Sequence, residues 1–534
     1  MIHKAIMIIT SVFLLTVAVA ANPLPQLFVA SDRCQACHNG LVTTRGEDVS
    51  IGIDWRLSMM ANAARDPYWQ AAVRRETLVH PSAKAVIEHE CSACHMPMAR
   101  YTAKAAGEKG TVFEHLPVTR QITFMDKLAA DGVSCAMCHQ IGKDKLGEKE
   151  SFTAGFVVDT TTAFGERKVF GPYDVDEGRK SLMRSSSQFV PNQAVHIQSS
   201  ELCASCHTLF THALNDNGEL LGEFPEQVPY LEWKHSSYYN SRSCQSCHMP
   251  QLEGEMPISG VMGKGRENVS RHAFRGGNFF MPRILNRNRH KLGVVALPQE
   301  LDAAFSRTVE HLRASAANIA VRDAGIKDGS LRAEVWIENL AGHKLPSAYP
   351  SRRVWVHFVV LDRNGHVVFE SGRLNEEGSI VGNDNDRDGN LYESHYTVID
   401  DPQKVQIYES IMGDSENKIT TVLLSSACYL KDNRLLPDGF EKETADGDCA
   451  VQGSAVDDAD FRGGGDRVLY TIPVSIADGP FKIQAELWYQ PIGFRWAHNL
   501  EQQKAVEISR FVSYYNALSG SSGTILAKAE AMAE

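Results

Sequence analysis

Leu331, Ala333, Val335 and Ile337 alternate with Arg332, Glu334, Trp336 and Glu338. A period of two predicts a strand with one buried face. Val354, Val356, Phe358 and Val360 repeat the pattern, and Asn364-Gly365 then supplies a hairpin turn into Val367-Val368-Phe369. Val468, Tyr470 and Ile472 follow, then Phe481, Ile483, Ala485, Leu487 and Tyr489. Upstream the periodicity is different. Asp66-Pro67 reads as an N-cap with proline at the first helical position, opening a helix to about Leu78. Leu301, Phe305, Val309, Leu312, Ala316 and Ile319 recur at helical spacing and predict a second helix.

These patterns divide the chain and predict a multidomain α + β protein. A mainly helical and loop-rich domain spans 21–322, followed by an immunoglobulin-like β-sandwich over 323–492. The segment 493–534 reads as a short helical tail, with Val506, Phe511, Tyr514 and Leu518 available to pack back. Residues 1–20 read as an export signal. His3 and Lys4 precede an apolar run from Ala5 to Ala20, and Ala18-Val19-Ala20 is a small-residue cleavage pattern. A membrane anchor is the competing reading, but the run falls short of the roughly 20 apolar residues a spanning helix needs. The expected mature protein carries no membrane span. Periplasmic residence is expected, and secretion or cell-surface residence also fits.

The 534 residues include 43% hydrophobic and 22% charged positions, ordinary for a globular chain. The formal net charge of −11 excludes nucleic acid as a partner, because no basic stripe is available to neutralise phosphates.

Ten of the twelve cysteines change the picture. They form one pentad five times: Cys34-Gln-Ala-Cys37-His38, Cys91-Ser-Ala-Cys94-His95, Cys135-Ala-Met-Cys138-His139, Cys203-Ala-Ser-Cys206-His207 and Cys244-Gln-Ser-Cys247-His248. At this chain's composition, chance supplies roughly 0.01 such pentads. Two thiols three positions apart reach the two vinyl groups of one haem, and the following histidine presents its imidazole to the iron. Disulfides and zinc sites do not require a histidine at one offset five times. The chain is therefore expected to carry five covalent haem c groups, with His38, His95, His139, His207 and His248 as proximal ligands. One site per about forty residues makes the cofactors much of the core and brings them close enough for electron exchange.

The sixth ligand decides whether an iron is closed or open to small molecules. His196, His272 and His235 are the favoured distal candidates in the helical domain. His272 sits in an Arg-His-Ala-Phe-Arg-Gly-Gly loop, and His235 and His196 precede a pentad by less than ten residues. His343, in Gly342-His343-Lys344-Leu345-Pro346, could reach back from the β domain. Met60, or Met59 beside it, is a further candidate that would raise its haem's potential. His115, His212, His89 and His290 read as weaker candidates. Asp384, Asp386 and Asp388 are spaced as in a calcium loop, although His395 stands where a bidentate glutamate belongs. Calcium and a solvated acidic loop are both open, with Glu393 as a substitute ligand. Cys428 and Cys449 remain, and a disulfide is the expectation in an oxidising compartment.

With these motifs in place the chain resembles the multihaem cytochrome c superfamily, in the group of bacterial cytochromes with a C-terminal β domain. The resemblance rests on the five pentads and on Gly342 to Arg353. It implies electron transfer with other redox proteins, among them cytochromes and quinol-linked or terminal reductases. The alternative is an oxidoreductase acting on a small nitrogen or sulfur oxyanion at one open haem. Pentahaem nitrite reductases are similar in haem count, but their catalytic pentad ends in lysine, and all five here end in histidine. No hydrolytic triad, phosphate loop or nicotinamide fingerprint accompanies the pentads.

Overall fold

The computed structural model describes residues 24–215 and 217–534. The expected export signal at 1–20 lies outside the described residues. Among those described, no helix is long and apolar enough to cross a membrane.

The first half is built from short helices. Asp66 caps the helix Pro67–Val79 by accepting from the Tyr68 and Trp69 N–H groups, with Pro67 in the first turn. All five pentads lie on helical turns: in Asp32–Gln35 and its continuation, at the end of Lys84–His95, in Cys135–Cys138, at the end of Ser200–His207, and in Cys244–His248. A helical turn puts residues three and four apart on one face, so both thiols and the imidazole of each pentad look the same way. A core of Leu27, Phe28, Met96, Met98, Leu128 and Met137 packs beneath, with Cys91, Cys94 and Cys206 against it.

The second half is two facing sheets. One has the order Val367–Ser371, Arg353–Leu361, Phe481–Gln490, Thr524–Ala533, with Ile407–Tyr408 also paired to Arg353–Leu361. The other runs Val398–Ile399, Gly465–Pro473, Ser330–Asn339, Ala317–Lys327. The alternating residues pack between them, and Phe358 stacks on Tyr470 at 3.8 Å between ring centroids. Gly365, at φ +81°, turns the chain between Arg353–Leu361 and Val367–Ser371, a conformation that favours glycine. The long insertion between Ser371 and Gly465 adds a small three-stranded sheet from Ser410–Gly413, Ile419–Thr420 and Cys428–Asp432.

Three expectations need correction. The helix Pro298–Ser315 stops before Ile319, which lies in the strand Ala317–Lys327, so the β layer begins earlier than residue 323. The tail is only partly helical. After Val506–Asn516 the chain forms the strand Thr524–Ala533, paired along Phe481–Gln490. Its alanines favour a helix, but pairing on a sheet edge overrides that preference. The sheet that holds Phe481–Gln490 therefore takes its last strand from the tail, past residue 492.

The two halves share an interface. Tyr68 of the capped helix meets Phe511 of the tail helix at 4.9 Å, and Arg74 pairs with Glu507 at 2.9 Å. Glu76 accepts the Leu423 and Leu424 N–H groups of the insertion.

Candidate haem-binding site

The five pentads converge on one continuous cavity of about 1390 Å³, lined by residues of each. That exceeds the roughly 300–1,000 Å³ of an ordinary small-molecule pocket. Thiols of different pentads touch across it: Cys34 with Cys135, Cys94 with Cys206, and Cys203 with Cys244. The paired cysteines fit covalently held haem c.

The proximal imidazoles are oriented by the backbone. Nδ1 of His38 faces the Ile258 carbonyl at 2.6 Å, His95 that of Ala63 at 3.1 Å, and His139 that of Phe170 at 2.6 Å. His248 makes the same contact with Arg275. An Nδ1–H donated to a carbonyl leaves the Nε2 lone pair for a metal and makes it more basic. Burial holds His95 and His248 down to about 4, so both rings are neutral near pH 7 and have no proton to lose on ligation. Trp69 stacks flat on the His95 ring at 4.4 Å and fixes its plane.

Two proximal rings face a second imidazole. His139 and His272 are 6.2 Å apart between centroids with planes 22° apart, and His248 and His343 are 6.3 Å apart at 12°. A metal–imidazole bond of about 2 Å and a ring radius of about 1.1 Å on each side place two coaxial imidazoles about 6.2 Å apart. Each pair therefore has the spacing for one iron between its rings. The Nδ1 of His272 is buried without a partner, and burial holds that ring down to about 3. An orphaned neutral ring nitrogen beside a proximal histidine suits an axial ligand.

His343 reaches this position because its loop is anchored. Asn339 donates to its carbonyl at 2.9 Å, and its own Nδ1 meets the Lys344 carbonyl at 2.9 Å. Lys344 is fully buried. Its N–H donates to Glu232 at 3.1 Å and its Nζ pairs with Asp432 at 2.7 Å. Arg434 pairs with Asp432 at 2.7 Å and lies 2.9 Å from Glu232, an ion pair without hydrogen-bond alignment. Glu232 belongs to the first half, so a buried network of four charges carries the β-layer loop to the cavity.

The other candidates lie elsewhere or in looser relation. Met60 and Met59 line the cavity. His196 stands apart from any proximal ring, with Nε2 on the Ile141 carbonyl at 2.9 Å, because its short 3₁₀ turn faces the surface. His235 is drawn to Asp446 at 3.2 Å and packs on Phe440, away from the cavity. His115 faces Asp126 and His212 faces Glu90, both at 2.9 Å. Sequence reasoning missed His311, which lines the cavity from the helix Pro298–Ser315. Its position between Val309 and Leu312, both buried, was the available signal. The carbonyls that orient the proximal rings left no signal, since any residue type supplies one.

The acidic loop is corrected. Asp384–Arg387 is a helical turn, and at about 100° per residue its alternate carboxylates diverge. Asp386 points inward to a two-pronged pair with Arg353, both contacts 2.8 Å. Asp384 pairs with Arg387, Asp388 accepts the Asn390 N–H, and Glu393 accepts that of Asp384. The expected disulfide is absent too. Cys428 is a free thiol 3.5 Å from the Asn417 side-chain oxygen, while Cys449 is free and buried in the core.

His395, Asp458 and Asp466 hold donor atoms within 4.8 Å of one another deep in the β layer. The Gln406 and Asn433 oxygens accept backbone N–H groups, so both amide nitrogens face His395 Nδ1, at 2.9 and 3.1 Å. A ring nitrogen that accepts twice carries no proton. The proton therefore sits on Nε2, donated to Asp458 at 2.9 Å, and the cluster is a hydrogen-bonded network with no free ligand nitrogen.

No family model matches the chain, and no curated protein matches it. Among solved structures, a penta-heme cytochrome c552 from Thermochromatium tepidum is similar over 95% of this chain and 100% of that one, with a TM-score of 0.54 and 15% identity. At that identity the likeness is one of fold alone.

Proposed function

We propose that the protein is an exported, periplasmic electron carrier with five covalently attached haems, passing electrons between redox proteins. The observation that carries this reading is the convergence of five Cys-x-x-Cys-His turns on one cavity, with two proximal rings already facing a second imidazole at one-iron spacing. Bound haem supplies the Fe(III)/Fe(II) couple. The chain's own residues do the rest. Backbone carbonyls hold the proximal rings in one orientation, burial keeps them neutral, and the shared cavity keeps neighbouring sites close. His139 with His272, and His248 with His343, close their sites to exogenous ligands. The two-sheet layer, read as immunoglobulin-like, supplies the second of these distal histidines.

A second reading, reduction of a small nitrogen or sulfur oxyanion at an open haem, draws on one observation. Among the described residues His207 has no facing imidazole, and the charge of Arg352 acts on it inside the cavity. Electron paramagnetic resonance of the oxidised protein, with and without nitrite or cyanide, separates the two. Five low-spin haems indifferent to both ligands are expected of the carrier. A high-spin signal that shifts on ligand addition would replace it with the reductase.

A further inference from the structure

Glu226 ends the strand Leu220–Gln227 and lines the haem cavity at 3% exposure. Its carboxyl meets only the Gln227 amide, at 3.1 Å; among the described residues no lysine, arginine or histidine pairs with it. The titratable groups that face it are Glu76, the thiols Cys91 and Cys94, and the phenols Tyr349 and Tyr429. Glu76 accepts two backbone N–H groups and lies 3.7 Å from Arg75. The nearest cofactor attachment is the second pentad.

We propose that Glu226 is the proton acceptor coupled to reduction of the haem held by Cys91 and Cys94. This rests on the haem-carrier reading. As one electron arrives from a reduced partner protein, the carboxylate takes one proton from water and becomes the carboxylic acid. Oxidation returns both. The local charge then stays constant, which matters in a buried site where uncompensated charge is costly.

The electrostatics run in the required direction. Burial pushes the Glu226 carboxyl up to about 8, with the Glu76 charge adding to the effect. A ferric haem core carries one net positive charge and a ferrous core carries none, so the oxidised site draws this value down and the reduced site does not. Between the two values, electron and proton uptake are linked one to one. Each tenfold change in proton concentration then moves the one-electron potential by up to 59 mV.

The test is a spectroelectrochemical titration of the holoprotein from pH 5.5 to 9, for wild type, Glu226→Gln and Glu226→Asp. One haem potential is expected to fall as pH rises in wild type, to lose that slope in Glu226→Gln, and to keep a displaced slope in Glu226→Asp. An unchanged slope in Glu226→Gln, or no sloping haem in wild type, would overturn the proposal. Reduced-minus-oxidised infrared difference spectra of the unaltered holoprotein supply an independent readout, free of folding effects. A protonated-carboxyl band gained on reduction supports the coupling, and its absence overturns it. The haem count by pyridine haemochromogen, taken on the same sample, tests the carrier reading separately.

Discussion

Glu226 and Asp386 are both buried carboxylates, and the molecule treats them in opposite ways. In the β layer Asp386 lies against both prongs of Arg353, and Asp432 is shared by Lys344 and Arg434. Beside the cavity Glu226 has no paired cation among the described residues, and burial raises Asp66 as well. In the β layer Asp386 and Asp432 find their cations within the polypeptide. The first half is built as a container, with half-buried thiols, an orphaned ring nitrogen on His272 and an unpaired acid along an open wall. On the haem-carrier reading, the cofactors are the partner of these side chains.

The largest effect follows from withholding that partner. Chain exported in a host unable to attach haem is expected to lose protease resistance over 24–316 while retaining it over most of 317–533. Limited proteolysis with mass spectrometry reads the difference, and uniform loss would erase the contrast between the halves. Glu232→Gln comes next. It removes the anion beside buried Arg434, and breaking one partner of a buried network costs roughly 3–5 kcal/mol. Denaturant unfolding followed at the Soret band and by tryptophan fluorescence should show both transitions moving, because Glu232 belongs to one half and Arg434 to the other.

The contrast was only partly legible in the sequence. Alternation placed Ser330–Asn339, Arg353–Leu361 and Phe481–Gln490, because a strand with one wet face writes its period directly into residue type. Thr524–Ala533 escaped for the converse reason: its alanines favour a helix, and only the neighbouring strand Phe481–Gln490 decides the matter. The pentads were unmistakable because covalent attachment demands fixed residues at fixed spacing. Distal ligands carry no such demand, so His196 and His272 ranked together and His343 lower, and the fold brought only His272 and His343 to face a pentad imidazole. The calcium spacing at Asp384–Asp388 misled because a helical turn, which spacing does not report, spreads the carboxylates apart.

Smaller effects sharpen the comparison. The folded chain holds the Glu226 proton more tightly than the unfolded chain does. Stability should therefore fall as pH rises from 4.5 toward about 8, by about 1.4 kcal/mol per pH unit. Glu226→Gln should flatten that slope in denaturant titrations at several pH values. Smallest in stability, yet clear in spectrum, are His272→Ala and His343→Ala. On the haem-carrier reading, each should convert one haem from low to high spin by electron paramagnetic resonance. His343→Ala alone should leave the spin state of that haem independent of how firmly the β layer is seated.

That last dependence has a wider meaning. His343 is delivered to His248 by a loop that the β layer holds through Lys344, Asp432 and Arg434. A partner protein, a change of temperature or a mechanical pull that loosens the layer would lengthen the reach of that loop before any strand parts. On the haem-carrier reading, the protein would then report its own assembly as colour: a wavelength shift at a single haem would become a gauge of how tightly its two halves are clasped.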